Sequence, residues 1–372
     1  MEDEILYGIA LSLLKGIGDA NAKTLISYAG SAKQLFGMST AKLQKINGIG
    51  PKTAAIFKDT KQAIQRAEKE MKFMQQHQID VHFYYQKTYP KRLLNCVDAP
   101  LFIFSKGNVD FNKEKIVSVV GTRHCTEQGR AITEKLIADL AIHDITLVSG
   151  LAYGIDICAH KAALKYNMQN IAVLAHGLDR IYPFQHKNIA DKLQENGAII
   201  SDFISQTNPD KQNFPSRNRI VAGMSDATIV VESAEEGGAL ITAEIANSYN
   251  RDVFAFPGRV DDKYSVGCLR LIKQNKAQLV CAAQDIIECM SWDIDTKKQN
   301  ENKSSIQTQL FSDFNADEQK IIHVLQAQSK SSIDELYLKT ALTPSNIATL
   351  LLNLELKGVV QMLPGKYYRL VN

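Results

Sequence analysis

Residues 116–150 read IVSVVGTRHCTEQGRAITEKLIADLAIHDITLVSG. The segment opens on a short apolar run, passes through a polar loop, and continues as the amphipathic phrase EQGRAITEKLIADLAI. It returns to a second apolar run, ITLVS. Short runs rich in β-branched residues are what strands buried on both faces require. Strand, amphipathic helix and strand in succession form a βαβ unit, whose strands run parallel. Four more runs follow, IAVLA, AIIS, ATIVV and VFAF, with helical phrases between them. Residues 76–290 are therefore expected to form an α/β domain around a mostly parallel, Rossmann-like sheet. Ligands of such sheets sit at the carboxyl ends of the strands, where loops lead into helix N-termini.

The regions outside this domain read differently. Residues 1–75 contain two similar phrases, LLKGIGDANAKTLI and LQKINGIGPKTAAIF. Each joins two helical phrases through Gly-Ile-Gly, resembling a tandem helix-hairpin-helix (SAM-like) domain. Glycines permit the tight turn, and the helix that follows presents N–H groups to a phosphate. Gly48, Gly50 and Lys52 are the expected contacts to a duplex backbone, with Lys58 and Lys61 adding charge nearby. Residues 291–312, with the polar stretch DTKKQNENKSSIQTQ, read as a flexible linker. Residues 313–372 hold three helical phrases and a terminal hairpin, VVQMLPGKYYRL, the pattern of a winged helix. Its third helix offers Asn346, Thr349 and Asn353, with Lys357 as its one cation. That face suits a protein contact or a structural role better than a DNA groove.

Bulk composition narrows the classes. The 372 residues include 43 basic and 40 acidic side chains, a formal charge of +3. A nucleic-acid partner must therefore be argued from local clusters. Six scattered cysteines contain no CxxC pair, so no metal site or disulfide framework is expected and a reducing compartment fits. The N-terminus MEDEILYGIA lacks the basic and apolar regions of a signal peptide. No apolar run approaches the roughly 18 residues of a membrane span. A soluble cytoplasmic protein without membrane attachment is expected.

Four strand-to-helix loops of the α/β domain carry the functional reading. In VVGTRHCTEQGR, Gly121 allows close approach of an anion, Thr122 can donate a hydrogen bond and Arg123 can fork onto phosphate oxygens. The spacing is neither GxGxxG nor GxxxxGK[ST], which excludes the dinucleotide and P-loop readings. In VSGLAYGIDICAHKAAL, Ser149, Gly150 and Gly154 border the same crevice. Asp156 and His160 lie four apart, and a helix-surface pair or a structural hydrogen bond is the preferred reading over an acid–base pair. The loop AHGLDRIYPFQHKNIA supplies Tyr182 and Pro183 as structure, with Lys187 and Asn188 as further contacts. In NFPSRNRIVAGMSDATIVVESAEEGGALITAEIA, a helix is expected to start near Ser216. Arg217, Asn218 and Arg219 would then fall in its first turn, where cations oppose the helix dipole unless an anion bridges them. Gly237 and Gly238 open another helix and offer a further phosphate site. Two guanidiniums and the Phe214 ring, with no catalytic pair beside them, suit a nucleic-acid strand: phosphates held by arginine, bases stacked on an aromatic face.

The motifs VVGTR, VSGLAYGIDICAHKAAL, GLDRIYP, FPSRNRIVAGMSDATIVVE and GGALITAEIA, in this order, resemble the DNA-processing protein A (DprA/Smf) family. The segment YPKRLLNCVDAPLFIFSKGN resembles that family's lead-in. The likeness spans about Tyr89 to Val280. It implies a non-catalytic single-stranded DNA-binding protein that protects incoming strands in natural transformation, helps load the RecA recombinase, and forms homodimers through the Rossmann-like domain. Carried onto matching positions, the DNA site comprises Gly121, Thr122, Arg123, Ser149, Gly150, Gly154, Phe214, Arg217, Asn218, Arg219, Gly237, Gly238 and Ala239. No cofactor or metal is implied. The chain departs from the family pattern at Tyr153, where many members carry Arg or another polar residue, and at Ala239, where many carry Ser.

A rival reading is a nucleotide-handling enzyme. EEGGALITAE resembles the PGGxGTxxE loop of lysine-decarboxylase-like phosphoribohydrolases, with Arg219 and Glu244 then acting on a nucleoside monophosphate. Leu240 and Ile241 replace the small residues of that loop and would obstruct close backbone approach. A third reading keeps the sheet as scaffold and lets the winged helix bind proteins.

Overall fold

In a computed structural model, residues 2–46, 48–292, 314–328, 330–363 and 365–371 are described. The chain divides into two compact units, Met1–Leu279 and Val280–Asn372. Residues 293–312 of the expected linker lie outside the described residues.

The larger unit is built on a nine-stranded sheet ordered β1-β2-β6-β5-β4-β3-β7-β8-β9. Its strands are β1 (Asp80–Phe83), β2 (Phe102–Asn108), β3 (Ile116–Val120), β4 (Thr146–Ser149), β5 (Asn170–Val173), β6 (Gly197–Ser201), β7 (Ala227–Val230), β8 (Asp252–Ala255) and β9 (Gln278–Leu279). From β6 to β9 every pairing is parallel, whereas β1–β2 and β2–β6 are antiparallel. The six strands read from the sequence are present within a residue or two. The antiparallel edge, β1 and β2, was not among them. The run LFIF reads only as part of the segment leading into the sheet, and in the structure it pairs with both β1 and β6.

The N-terminal helices α1 (Glu2–Ser12), α2 (Asp19–Ala29), α3 (Ala32–Phe36), α4 (Thr40–Leu43), α5 (Pro51–Ile56) and α6 (Lys61–His77) contain the expected tandem hairpin. The two Gly-Ile-Gly turns have the same backbone: Gly16 and Gly48 take φ of +92° and +84°. Gly18 and Gly50 are extended and precede α2 and α5. Positive φ is accessible to glycine at little cost, which explains the repeated residue. This layer shares a core with the sheet edge: Ile9, Leu25 and Leu35 are buried in one cluster with Phe83, Phe102 and Phe104.

Every residue of β3, β4, β5 and β6 is buried, as expected of a parallel sheet covered on both faces. The short helix α7 (Lys91–Leu94) precedes β2, and helices α8 (Glu127–Ala141) and α9 (Ile155–Lys165) follow β3 and β4. Helix α10 (Lys187–Leu193) lies between β5 and β6, and α11 (Asn213–Gly223) and α12 (Gly238–Ser248) flank β7. The order reverses at β3, whose neighbours are β4 and β7. The loops after β3 and β4 thus open where doubly wound sheets place ligands.

The smaller unit contains helices Ala316–Ala327, Ile333–Thr340 and Pro344–Leu356. A three-stranded antiparallel sheet accompanies them, β10 (Ser331–Ser332), β11 (Val360–Leu363) and β12 (Tyr367–Leu370), ordered β10-β12-β11. Asn315 and Ser332 cap the first two helices, each reciprocated by a glutamate three residues on, a capping box. Ile321, Leu325, Leu336, Ile347, Leu351 and Leu354 form the core. This is the expected winged helix.

Candidate functional site

Phe214 is half-buried at the start of α11. The helix begins at Asn213, earlier than the sequence reading placed it, with Pro215 in the first turn. Proline is tolerated there because its missing N–H would have no intrahelical partner. Arg217, Asn218 and Arg219 consequently sit in the second turn, and the expected opposition between these cations and the helix dipole falls away.

Two guanidiniums approach the Phe214 ring. The Arg123 guanidinium lies 5.1 Å from the ring centroid and that of Arg217 lies 6.0 Å away, within cation–π range. Tyr182 meets the ring edge to face, 6.3 Å between centroids. Arg123, Gly150, Tyr153, Tyr182, Phe214 and Arg217 border one narrow cleft of about 20 Å³. A second, open groove of about 1090 Å³ adjoins it and shares Arg123, Tyr153 and Tyr182.

The two arginines differ in environment. Arg123 is exposed. Arg217 is 5% exposed, and its Nη1 donates to the Val173 carbonyl at 3.2 Å. Its Nε has no hydrogen-bond partner, and a buried unpaired donor is costly. Burial pulls the Arg217 pKa below the usual arginine range, with nearby Asp156 opposing that shift. Asp156 is itself pushed up by burial and held down by Arg217. Its Oδ2 accepts the Gly150 and Ala152 amides at 3.1 and 3.4 Å. One carboxylate thus fixes the loop after β4 and balances the buried cation.

The Arg123 loop is pinned from the next strand. Thr122 N–H donates to the Glu232 carbonyl at 2.7 Å. The Glu232 carboxylate accepts the Thr126 amide at 3.0 Å and its hydroxyl at 2.5 Å. The same hydroxyl accepts the Gly129 amide at 3.0 Å and caps α8. The Tyr182 loop is held by His176, whose Nε2 accepts the Tyr182 amide at 3.2 Å. Its Nδ1, 2.9 Å from the Gly177 carbonyl, must then carry the proton.

The expected residues separate into groups. Arg123, Gly150, Phe214 and Arg217 meet at the cleft, and Gly154 lines the adjoining groove. Thr122 is placed beside them, its hydroxyl accepting the His124 amide at 3.1 Å. Gly121 serves packing, since a Cβ there would collide with Ile155. Ser149 is fully buried and its hydroxyl donates to the Val119 carbonyl at 2.6 Å, so it is occupied within the sheet. Asn218 donates to the Gly238 carbonyl at 3.3 Å. That bond joins α11 to the Gly237–Ala239 turn, which lines neither the cleft nor the groove.

Arg219 is a correction. Its guanidinium pairs with Asp202 at 2.7 Å and Asp19 at 3.3 Å, two positions from Arg217 on the helix and hence on another face. It joins α2 to the sheet instead of bordering the cleft. Glu244, its partner in the enzyme reading, is paired with Lys276 at 2.9 Å. Asp156 and His160 are also not a pair. His160 is fully buried with Nδ1 2.6 Å from the Asn170 Oδ1, and burial lowers its pKa to about 4. Lys187 and Asn188 are exposed at the start of α10 and line neither cavity. Gly48, Gly50 and Lys52 are exposed on the N-terminal hairpins, with open space around both glycines. Sequence reasoning missed Glu232, His176, Arg130 and Lys161. The first two act through loops brought together by sheet order, and the last two are spaced like ordinary surface cations.

Residues 80–291 match the family DNA recombination-mediator protein A, and residues 308–366 match the DprA winged helix domain. The chain belongs to the DNA recombination-mediator protein A family. It is 33% identical to the DNA processing protein DprA of Bacillus subtilis, over 68% of this chain and 84% of that protein. Protein Smf of Synechocystis is 29% identical over 98% of both chains. The crystal structure of DprA from Streptococcus pneumoniae superposes with a TM-score of 0.67 at 33% identity, covering 77% of this chain and 98% of that one. A structure of DprA from Helicobacter pylori, described for its single-stranded DNA binding mode, matches with a TM-score of 0.52 at 28% identity. It covers 57% of this chain and 98% of that one. Family membership makes the chain a DNA-binding recombination mediator and not an enzyme. Among the described residues no group of His, Cys, Asp and Glu could hold a metal, and no helix is long and apolar enough to cross a membrane.

Proposed function

We propose that the chain binds single-stranded DNA at the Phe214 cleft, protects incoming strands in the cytoplasm during natural transformation and helps load RecA onto them. In this reading it acts as a homodimer. The observation that carries it is the Phe214 ring approached by two guanidiniums, one of them buried with an unpaired Nε–H. A ring offers every base a π-face, the exposed Arg123 can hold the backbone and the buried Arg217 supports the ring, a combination tolerant of sequence. The cleft is too small for a base, so stacking uses the open side of the half-buried ring. Gly121, Thr122, Gly154 and Asn218 support the loops that aim Arg123, Phe214 and Arg217. Gly48, Gly50 and Lys52 are proposed as a separate contact to duplex backbone.

Fluorescence-anisotropy titration of labelled single-stranded and duplex oligonucleotides tests this reading. Wild type should prefer the single strand, and Arg123→Ala/Arg217→Ala should lose that preference. Binding that the double variant retains, or that is confined to duplex, would move the function to the flanking domains. RecA filament assembly on strands coated by a single-strand-binding protein, with and without this chain, tests the loading step. Light scattering tests the dimer.

A further inference from the structure

The cleft at Phe214 and the adjoining groove differ about fiftyfold in room, 20 against 1090 Å³. A strand anchored at Phe214 needs more room than the cleft offers. The groove supplies that room beside it, beginning at the shared residues Arg123, Tyr153 and Tyr182. The groove runs between α8 and α9 and presents Arg130 from the first and Lys161 from the second. Both are exposed, and among the described residues neither is in an ion pair. The groove's glutamate, Glu134, is neutralised by Lys165 at 2.5 Å, so the remaining charge is cationic. Arg130 is oriented by its Nε–H bond to the Cys125 sulfur, 3.5 Å. Tyr153 is 43% exposed and contacted on two sides: its hydroxyl donates to Gln185 at 2.9 Å and its ring meets His186 edge to face at 4.9 Å. An exposed aromatic residue beside cations without a carboxylate partner repeats the chemistry of the Phe214 site.

We infer that this groove is a second nucleotide-binding track, continuous with the Phe214 site, in which Tyr153 stacks a base and Arg130 and Lys161 hold the flanking phosphates. The inference rests on single-strand binding at Phe214. The groove also contains its own reporters, since Cys125 and Cys158 line it with their sulfurs 4.0 Å apart. Cys281 is exposed in the other compact unit and serves as a control.

The test titrates wild type and Arg130→Ala/Lys161→Glu with oligothymidylates of increasing length at several salt concentrations. Wild-type affinity should keep rising with lengths at which the variant has reached its plateau. The log–log salt slope of the variant should be shallower by roughly 0.7 for each phosphate that is no longer neutralised. Long oligothymidylate should slow N-ethylmaleimide modification of Cys125 in the wild type and leave Cys281 unchanged, and a far-UV circular dichroism spectrum and melting midpoint equal to the wild type's would show that the variant is folded. A variant with the wild-type length dependence and salt slope, or a Cys125 that stays reactive under saturating DNA, would overturn the track and leave the Phe214 site standing. Wild type that binds no oligothymidylate would overturn both.

Discussion

Gly150 leaves the space that the Arg217 guanidinium fills: a Cβ at residue 150 would lie on top of Nη1. The glycine read from the sequence as bordering the crevice also makes room for an arginine. Gly150→Ala should therefore expel the guanidinium from the Val173 carbonyl. Overpacking of this kind costs about 1–3 kcal/mol. Urea denaturation should register that loss, and single-strand affinity should fall with it. A variant unchanged in both would mean that Arg217 is free to move.

Phe214 and Arg123 should be separable by salt. Phe214→Ala removes a stacking face, typically worth about 1–3 kcal/mol per base, and should weaken binding with little change in salt slope. Arg123→Ala should flatten the slope by roughly 0.7, because it leaves one phosphate without its cation. Anisotropy titrations from low to high salt distinguish the two. Identical salt slopes in both variants would contradict the assigned roles.

Arg219→Ala should damage the fold and spare the site. The Arg219 and Asp202 side chains are 15% and 10% exposed, and removing one member of a buried pair costs about 3–5 kcal/mol. Burial already pushes the Asp202 pKa up, against the pull of Arg219. A carboxyl whose folded pKa exceeds its unfolded one is favoured in the fold by acid. The stability deficit of Arg219→Ala should therefore shrink as pH falls toward the carboxyl range, while the affinity of folded protein for single strands stays near wild type. A large affinity loss without a stability loss would return Arg219 to the DNA site.

His160 should make the fold acid-sensitive. Burial lowers its pKa from 6.5 to about 4, so between those values the unfolded chain binds a proton that the folded chain does not. Its stabilising contribution is complete above the unfolded value and is lost as pH falls through that window. The slope approaches about 1.4 kcal/mol per pH unit for one proton. Burial also lowers the pKa of His82 and His176, which adds in the same direction. His160→Gln should make the dependence shallower by its own share. Denaturant midpoints across that pH range, in wild type and variant, check this.

Local chemistry made much of the molecule legible. The βαβ pattern of residues 116–150 needs only apolar periodicity and turn residues, and β3, α8 and β4 lie where it places them. The Gly-Ile-Gly turns were visible because positive φ selects glycine, and the capping boxes of the winged helix are written in adjacent residues. Phe214 and Arg123 could be proposed from sequence because a ring and a guanidinium in strand-to-helix loops suit a nucleic-acid strand, and the fold brings the two side chains together.

What the tertiary structure decided is which way each side chain goes once strands are ordered. Arg217 and Arg219 are two apart and chemically alike, yet one turns to Phe214 and the other to Asp202 and Asp19. Helical geometry separates their faces, and the partners awaiting each come from segments distant in the chain. Glu232 governs the Arg123 loop only because β7 lies beside β3. Arg130 and Lys161 share a groove only because α8 packs on α9. Periodicity records which face of an element is buried. It holds no record of what that face will meet, because the meeting is set by long-range strand order.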